Sequence, residues 1–68
     1  MWTDMIGENA GKVWQVLHQA GTLNLNQIRT KTELEDRFMY MALGWLARED
    51  KIKVVKEGRE ILVSLKHR

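Results

Sequence analysis

Hydrophobic side chains recur at helical spacing near the start of the chain. Four of them follow one another at i, i+4, i+7 and i+11, which places them on one stripe of a helix. We therefore predict a helix from about Asp4 to Ala20, with Thr3 as its N-cap and Gly21 as the residue just beyond its end. The members of the stripe are Ile6, Ala10, Val13 and Leu17.

A stub strand and a second, shorter helix are predicted next. Residues 22–24 are too few for a longer strand, and Asn24 can cap the following helix, with Gln27 three positions on in the capping-box place. This helix should end near residues 30–31. Its inward residues are predicted to be Leu25 and Ile28.

A third, longer helix is predicted from a second capping box. The Thr32 hydroxyl can accept the backbone N–H of Glu35, whose carboxylate can reach back to the N–H of Thr32. The helix should continue to about Glu49. The residues assigned to its buried stripe are Leu34, Phe38, Met41, Ala42, Trp45 and Leu46. Those assigned to the opposite face are Asp36, Arg37, Tyr40, Gly44 and Arg48.

The last part of the chain has the alternation of a β-hairpin. Strands are predicted over Ile52–Lys56 and Arg59–Leu65, with the turn at Glu57–Gly58. A tight turn there pairs apolar residues of the two strands on one face of the hairpin, and Leu65 lies on the same face. A slip of one residue in the pairing would move the apolar residues of one strand to the opposite face. The predicted pairs are Val54 with Ile61 and Ile52 with Val63.

The order helix, stub strand, helix, helix, strand, strand predicts an α+β fold. A short helix joined through a three-residue turn to a longer one is a helix-turn-helix unit, and the hairpin directly after it is a wing. The prediction is one winged helix-turn-helix domain spanning residues 1–68. A domain of this length buries only about 60% of its unfolded surface, so its stability is marginal.

Composition and charge limit the classes of protein to which the domain can belong. There is no cysteine, so no disulfide or thiolate metal site can brace it. No apolar run approaches the roughly 20 residues of a membrane span, and the N-terminus lacks a secretory signal, so we expect a cytoplasmic protein with no membrane partner. Residues 1–47 hold four Lys/Arg and five Asp/Glu, whereas residues 48–68 hold seven and four, so the basic character lies in the C-terminal third.

Two segments of the chain resemble a known family. MIGENAGKVW at residues 5–14 and ALGWLAREDKI at residues 42–52 are similar to a family of small bacterial winged helix-turn-helix domains of unknown function. The resemblance covers nearly the whole chain and implies the fold. It carries over no binding residues, and it implies that stand-alone members form homodimers.

The sequence offers no assembled catalytic or metal site. The only histidines are His18 and His67 and the only serine is Ser64, and nothing in the predicted elements brings them together. The neighbouring carboxylates, Glu35–Asp36 and Glu49–Asp50, diverge by about 100° on a helix and make a poor acid/base pair. We therefore expect no enzyme activity, no cofactor, no metal and no small-molecule substrate.

Binding of double-stranded DNA is the first function that the predicted fold suggests, in the role of a transcriptional regulator. The start of the third helix would face the bases, and Glu33, Glu35 and Asp36 there would repel phosphate. These acids also have a structural explanation, because negative charge at a helix N-terminus stabilises the helix by about 0.3–1 kcal/mol for each residue. The candidate DNA contacts are Arg29, Lys31, Arg37, Tyr40, Lys53, Lys56 and Arg59.

A protein-interaction or dimerisation surface is the alternative function. The apolar arc of the third helix spans about 200°, wider than the roughly 100° that a core face needs. The outer face of the hairpin is apolar as well, and the candidate partner surface comprises Met39, Leu43, Val55 and Leu62. Glycines inside the predicted helices indicate a close backbone approach, most commonly internal packing and otherwise a dimer contact; they are Gly7, Gly11 and Gly44. The commonest use of the fold favours DNA and the residues favour a protein surface, so both functions stay open.

Overall fold

Between residues 2 and 66 the chain forms three helices and a three-stranded sheet. The computed structural model describes residues 2–66, with side chains from Thr3 onward, so the predicted position of His67 lies outside the described residues. The predicted order of elements is confirmed. The elements are α1 (Trp2–Ala20), β1 (Leu23–Asn24), α2 (Leu25–Thr32), α3 (Asp36–Arg48), β2 (Ile52–Glu57) and β3 (Glu60–Leu65).

Helix α1 places its predicted apolar stripe against the rest of the molecule. Ala10, Val13 and Leu17 are buried. The helix ends as predicted: Gly21 has φ +88°, and its N–H donates to the carbonyl of Leu17 at 2.8 Å. The predicted N-cap is wrong, because the helix already includes Thr3.

Helix α2 begins with the predicted capping box. The Asn24 side chain accepts the N–H of Gln27, and the Gln27 side chain accepts the N–H of Asn24, both at 2.8 Å. Two N-terminal donors that the helix leaves without partners are thereby satisfied. The predicted inward residues are Ile28, which is fully buried, and Leu25, which is half-buried.

The second predicted capping box does not form. Thr32 is the last residue of α2, and its hydroxyl donates back to the Ile28 carbonyl at 2.7 Å. The left-handed backbone of Glu33, with φ 58°, ends that helix by donating its N–H to the Arg29 carbonyl at 2.8 Å. Helix α3 therefore starts only at Asp36, after a three-residue turn, and its N-cap residue makes no side-chain capping bond.

The buried face of α3 lies at a different angle from the predicted one. Met39 is 0% exposed and Leu43 9%, although both were predicted to lie on the surface, whereas Trp45, predicted to be buried, is 42% exposed. The physical reason is the width of the apolar arc of α3. The rest of the molecule covers only part of that arc, and helical periodicity does not specify which part. The residues of α3 in the core are Met39, Ala42, Leu43 and Leu46.

The three strands form an antiparallel sheet in the order β1-β3-β2. The predicted pairing of the wing is wrong by two residues, since Val54 opposes Val63 and Ile52 opposes Leu65. The turn comprises residues 58–59 because Gly58, with φ +60°, supplies the positive φ that a type II′ turn needs at its first central residue. A shift of two residues leaves each side chain on its predicted face.

The helical body covers only part of the wing's inner face. Ile52 and Val63 are buried, whereas Val54 is 52% exposed and Ile61 also lies at the surface. The core therefore joins the inner sides of all three helices to the base of the sheet. Its members are Ala10, Val13, Leu17, Leu23, Ile28, Met39, Ala42, Leu43, Leu46, Ile52 and Val63.

Candidate nucleic-acid interface

A cleft separates the start of α2 from the tip of the wing. The Asn24 side-chain amide joins its two sides by donating to a carboxylate oxygen of Glu60 at 3.0 Å. Arg29 and Arg59, which the sequence could place only on separate elements, both face this cleft. The complete lining is Asn24, Leu25, Asn26, Arg29, Arg59, Glu60 and Ile61.

Arg29 connects this cleft to the start of α3. Its guanidinium hydrogen-bonds the carboxylate of Asp36 and the side-chain oxygen of Asn26. The hydrogen bond with Asp36 raises the pKa of Arg29, and the nearby Tyr40 hydroxyl acts in the same direction, so the guanidinium is held in its charged form. Two predicted DNA contacts, Arg29 and Tyr40, are thereby brought together around one acidic residue.

Arg37 is the second predicted contact that is paired with an acid. Its Nε donates to a carboxylate oxygen of Glu35 at 3.1 Å, and its guanidinium lies 5.5 Å from the centre of the Phe38 ring. Two of the three acids at the start of α3 are therefore partly neutralised by arginines of the chain itself. The same two pairs reduce the attraction that these arginines offer to phosphate.

The other four predicted cations are exposed and make no ion pair with any residue from Thr3 to Lys66. Lys31 lies on α2 beside the polar side chains of Asn26 and Thr30. The wing cations do not share one face: alternation along β2 puts Lys56 on the side of Val54 and Lys53 on the opposite side. The four are Lys31, Lys53, Lys56 and Arg59.

The predicted partner surface is half wrong. Met39 and Leu43 belong to the core, because α1 packs against the part of α3 that carries them, so neither can contribute to an exposed surface. Val55 and Leu62 oppose each other on the outer face of the wing, where Val55 is exposed and Leu62 half-buried. Of the predicted partner surface, only this wing pair remains available to a partner.

An apolar groove between α1 and α3 is a feature that the sequence did not predict. Its volume is about 390 Å³, and the exposed Trp45 stands at its edge. The signal for it was a mid-helix glycine, Gly44, directly before a tryptophan. We call this feature the α1–α3 groove, lined by Ile6, Met41, Gly44, Trp45, Arg48 and Glu49.

Internal packing does not explain the helical glycines. A Cβ built at Gly7, Gly11 or Gly44 would meet no other atom within 4 Å. The prediction that close packing inside the domain is the commoner cause is therefore wrong for these three positions. Each of them leaves bare helix backbone at the molecular surface.

Within the described residues, His18 and Ser64 make no hydrogen bond with each other. His18 stacks on Trp14 with ring centroids 4.8 Å apart, and Ser64 lies on β3 opposite Lys53. Among the described residues, no group of three or more His, Cys, Asp or Glu side chains could hold a metal ion. None of the helices from residue 2 to residue 66 combines the length and apolarity needed to cross a membrane.

A short capped helix, a three-residue turn, a longer helix and a hairpin packed beside them define the class of winged helix-turn-helix domains. The family model described as "Winged helix-turn-helix domain (DUF2582)" matches residues 1–65. The chain belongs to this family.

Two similar proteins extend this assignment. An uncharacterized protein of Methanocaldococcus jannaschii, MJ1608, is 42% identical over 69 residues, which cover 97% of this chain and 96% of that protein. The solution NMR structure of protein BT2368 from Bacteroides thetaiotaomicron superposes with a TM-score of 0.87 at 32% identity, covering 96% of this chain and 79% of that one.

Proposed function

We propose that this domain binds double-stranded DNA as a transcriptional regulator, with the exposed start of α3 in the major groove and the wing on the neighbouring backbone. The observation that carries the proposal is the cleft in which Arg29 and Arg59 face each other beside the start of α3. In helix-turn-helix proteins the second helix of the unit presents its first residues to the base edges. Here the exposed residues in that position are Arg37 and Tyr40.

The ion pairs at the start of α3 make this surface compatible with a polyanion. Asp36 and Glu35 would repel phosphate, but each lies against an arginine. Attraction to the DNA backbone then rests on the four unpaired cations defined above, and on the side-chain amides of Asn26 and Gln27, which can donate to phosphate oxygens. Because the described interface offers only these four cations, and Lys53 lies on the opposite face of the wing from Lys56, non-specific binding is weak and its log–log salt slope is shallow, no steeper than about −4.

Removal of two wing cations tests this function. The double variant Lys56→Ala/Arg59→Ala should weaken binding to a random-sequence duplex and reduce the slope of log K against log salt by about two, one for each lost phosphate contact. Fluorescence anisotropy of a labelled duplex at several salt concentrations measures both quantities. Both residues are exposed, so the fold should be unchanged by circular dichroism.

The matched control is Lys12→Ala, which also removes an exposed cation but lies on α1, outside the set of candidate DNA contacts. The DNA affinity of this variant should equal that of the unchanged chain. Equal losses in the control and the wing variant would mean that binding reflects only net charge, and the proposed interface would then be wrong.

A protein-interaction module that forms homodimers is the second candidate function. Its support is the amount of large apolar surface left in water, above all on Trp45 and Val54. A chain that fails to bind duplex at low salt but self-associates would favour this function over the first. The two functions are compatible, because dimeric helix-turn-helix proteins bind paired half-sites on DNA.

A further inference from the structure

The α1–α3 groove is a concave apolar surface without an occupant in the described chain. Ile6 and Met41 are half-buried at its sides, and the indole of Trp45 remains 42% exposed at its edge. A tryptophan exposed to this extent beside a groove supplies both a projecting side chain and a recess on the same face. Such a face can complement a copy of itself, as a two-fold interface requires.

Gly44 indicates what approaches this face. Glycine is the poorest helix former after proline, yet it stands in the middle of α3, where an alanine side chain would meet nothing within 4 Å. Contacts inside the domain therefore do not require it. A bare backbone allows an aromatic ring from outside to lie directly against the helix.

The charges at the end of the groove are also suited to self-association. Arg48 and Glu49 both line it, both are exposed, and neither makes an ion pair with the residues that the structure describes. The groove therefore carries one positive and one negative charge. Two copies related by a two-fold axis can meet without net repulsion, and each arginine can face the other copy's glutamate.

We propose that the α1–α3 groove binds a second copy of this chain, with Trp45 of each copy packed over Gly44 of the other and with Arg48 facing Glu49 across the axis. This inference rests on the second candidate function, association between copies of the chain, and not on DNA binding. It uses the C-terminal half of α3, and Tyr40 lies about 12 Å along the helix from Arg48 at 1.5 Å per residue. The start of α3 and the wing stay accessible in the dimer.

Substitution of the projecting tryptophan is the first test. Sedimentation equilibrium of the unchanged chain should give twice the 8.0 kDa chain mass, and Trp45→Ala should increase the dimer dissociation constant at least tenfold. The matched control is Val54→Ala, which removes apolar surface from a side chain that is even more exposed but lies on the wing. Circular dichroism confirms that both variants are folded.

Three results would overturn the proposal. They are a chain that stays monomeric at millimolar concentration, a dimer that Trp45→Ala leaves unchanged, and a dimer that Val54→Ala weakens as much as Trp45→Ala does. The last result would place the contact on the wing.

A charge reversal tests the two-fold arrangement with exposed residues only. Arg48→Glu gives every copy two acids at the groove and Glu49→Arg gives every copy two arginines, so each variant alone should dimerise more weakly than the unchanged chain. An equimolar mixture of the two variants brings opposite charges together and should recover association. A mixture that stays as weak as either variant alone would contradict the reciprocal contact between Arg48 and Glu49.

Discussion

Arg29 is the residue on which the candidate interface depends most directly. It joins α2 to α3 through Asp36, and the hydrogen bond that raises its pKa also keeps it from phosphate. Its pKa is raised above the ordinary range of an arginine, so the guanidinium stays charged in the folded protein at neutral pH. What limits phosphate binding here is the paired acid.

Removal of that acid should increase DNA affinity. Asp36→Asn frees the guanidinium of Arg29 and deletes one negative charge from the start of α3, so binding to random duplex should strengthen several-fold in anisotropy titrations at low salt. The variant should lose up to about 1 kcal/mol of stability, because a carboxylate at a helix N-terminus is favourable. Unchanged or weaker binding by a folded Asp36→Asn protein would place the start of α3 away from the DNA.

A pair of methionines tests the observed orientation of α3. Met39 is fully buried and Met41 only half-buried, the opposite of their predicted placement. Met39→Ala should lower the free energy of unfolding by about 2–5 kcal/mol, enough to unfold much of a domain this small, and Met41→Ala by clearly less. Urea denaturation followed by tryptophan fluorescence measures both, and the reverse order would show that the predicted face of α3 is the buried one.

At the scale of the elements, the two capping boxes differ although their sequences look alike. The one at Asn24 forms because Asn24 ends β1 with an extended backbone and directly precedes α2, so its side chain can accept an N–H group of the first turn of that helix. The one at Thr32 does not form because that residue completes α2. Local sequence shows that a cap can exist, and the neighbouring element decides whether it does.

Two substitutions separate these boxes. Asn24→Ala should cost about 1 kcal/mol of stability through the lost N-cap, whereas Glu35→Ala should change stability by less than about 0.5 kcal/mol because Glu35 makes no capping bond. Thermal unfolding of the two variants makes the comparison. A larger loss for Glu35→Ala would contradict the observed start of α3.

The sequence predicts the order of elements, the first stripe and the sides of the wing because each follows from spacing within one segment. It does not predict which part of the α3 arc is buried, because the position of α1 decides that. The wing register likewise depends on which residue of the turn takes a positive φ. The α1–α3 groove was missed for the same reason, since it exists only between two packed helices.

The wing register can be measured directly by NMR. Nuclear Overhauser contacts across the strands should join Val54 to Val63 and Ile52 to Leu65, as the type II′ turn at Gly58 requires. A dominant contact between Val54 and Ile61 would show that the turn lies at residues 57–58 instead.

For the whole molecule, the proposed DNA binding depends on a modest charge imbalance. The chain carries a net charge of +2, and the paired acids at the start of α3 leave four unpaired cations on α2 and the wing to attract DNA. The large apolar surface near the other end of α3 is available for association between copies. A small domain could thereby present two copies of its DNA-binding surface to one duplex.

Salt dependence of binding by the unchanged chain tests the proposed function most directly. Anisotropy titrations of a random-sequence duplex over a series of salt concentrations should give a log–log slope of about −2 to −3 per chain, since each phosphate contact contributes about −0.9 and Lys53 lies on the opposite face of the wing from Lys56. A dissociation constant of about 100 μM is the weak end of the range typical of non-specific DNA binding. The absence of binding at about 100 μM chain in low salt would therefore contradict the proposed DNA binding.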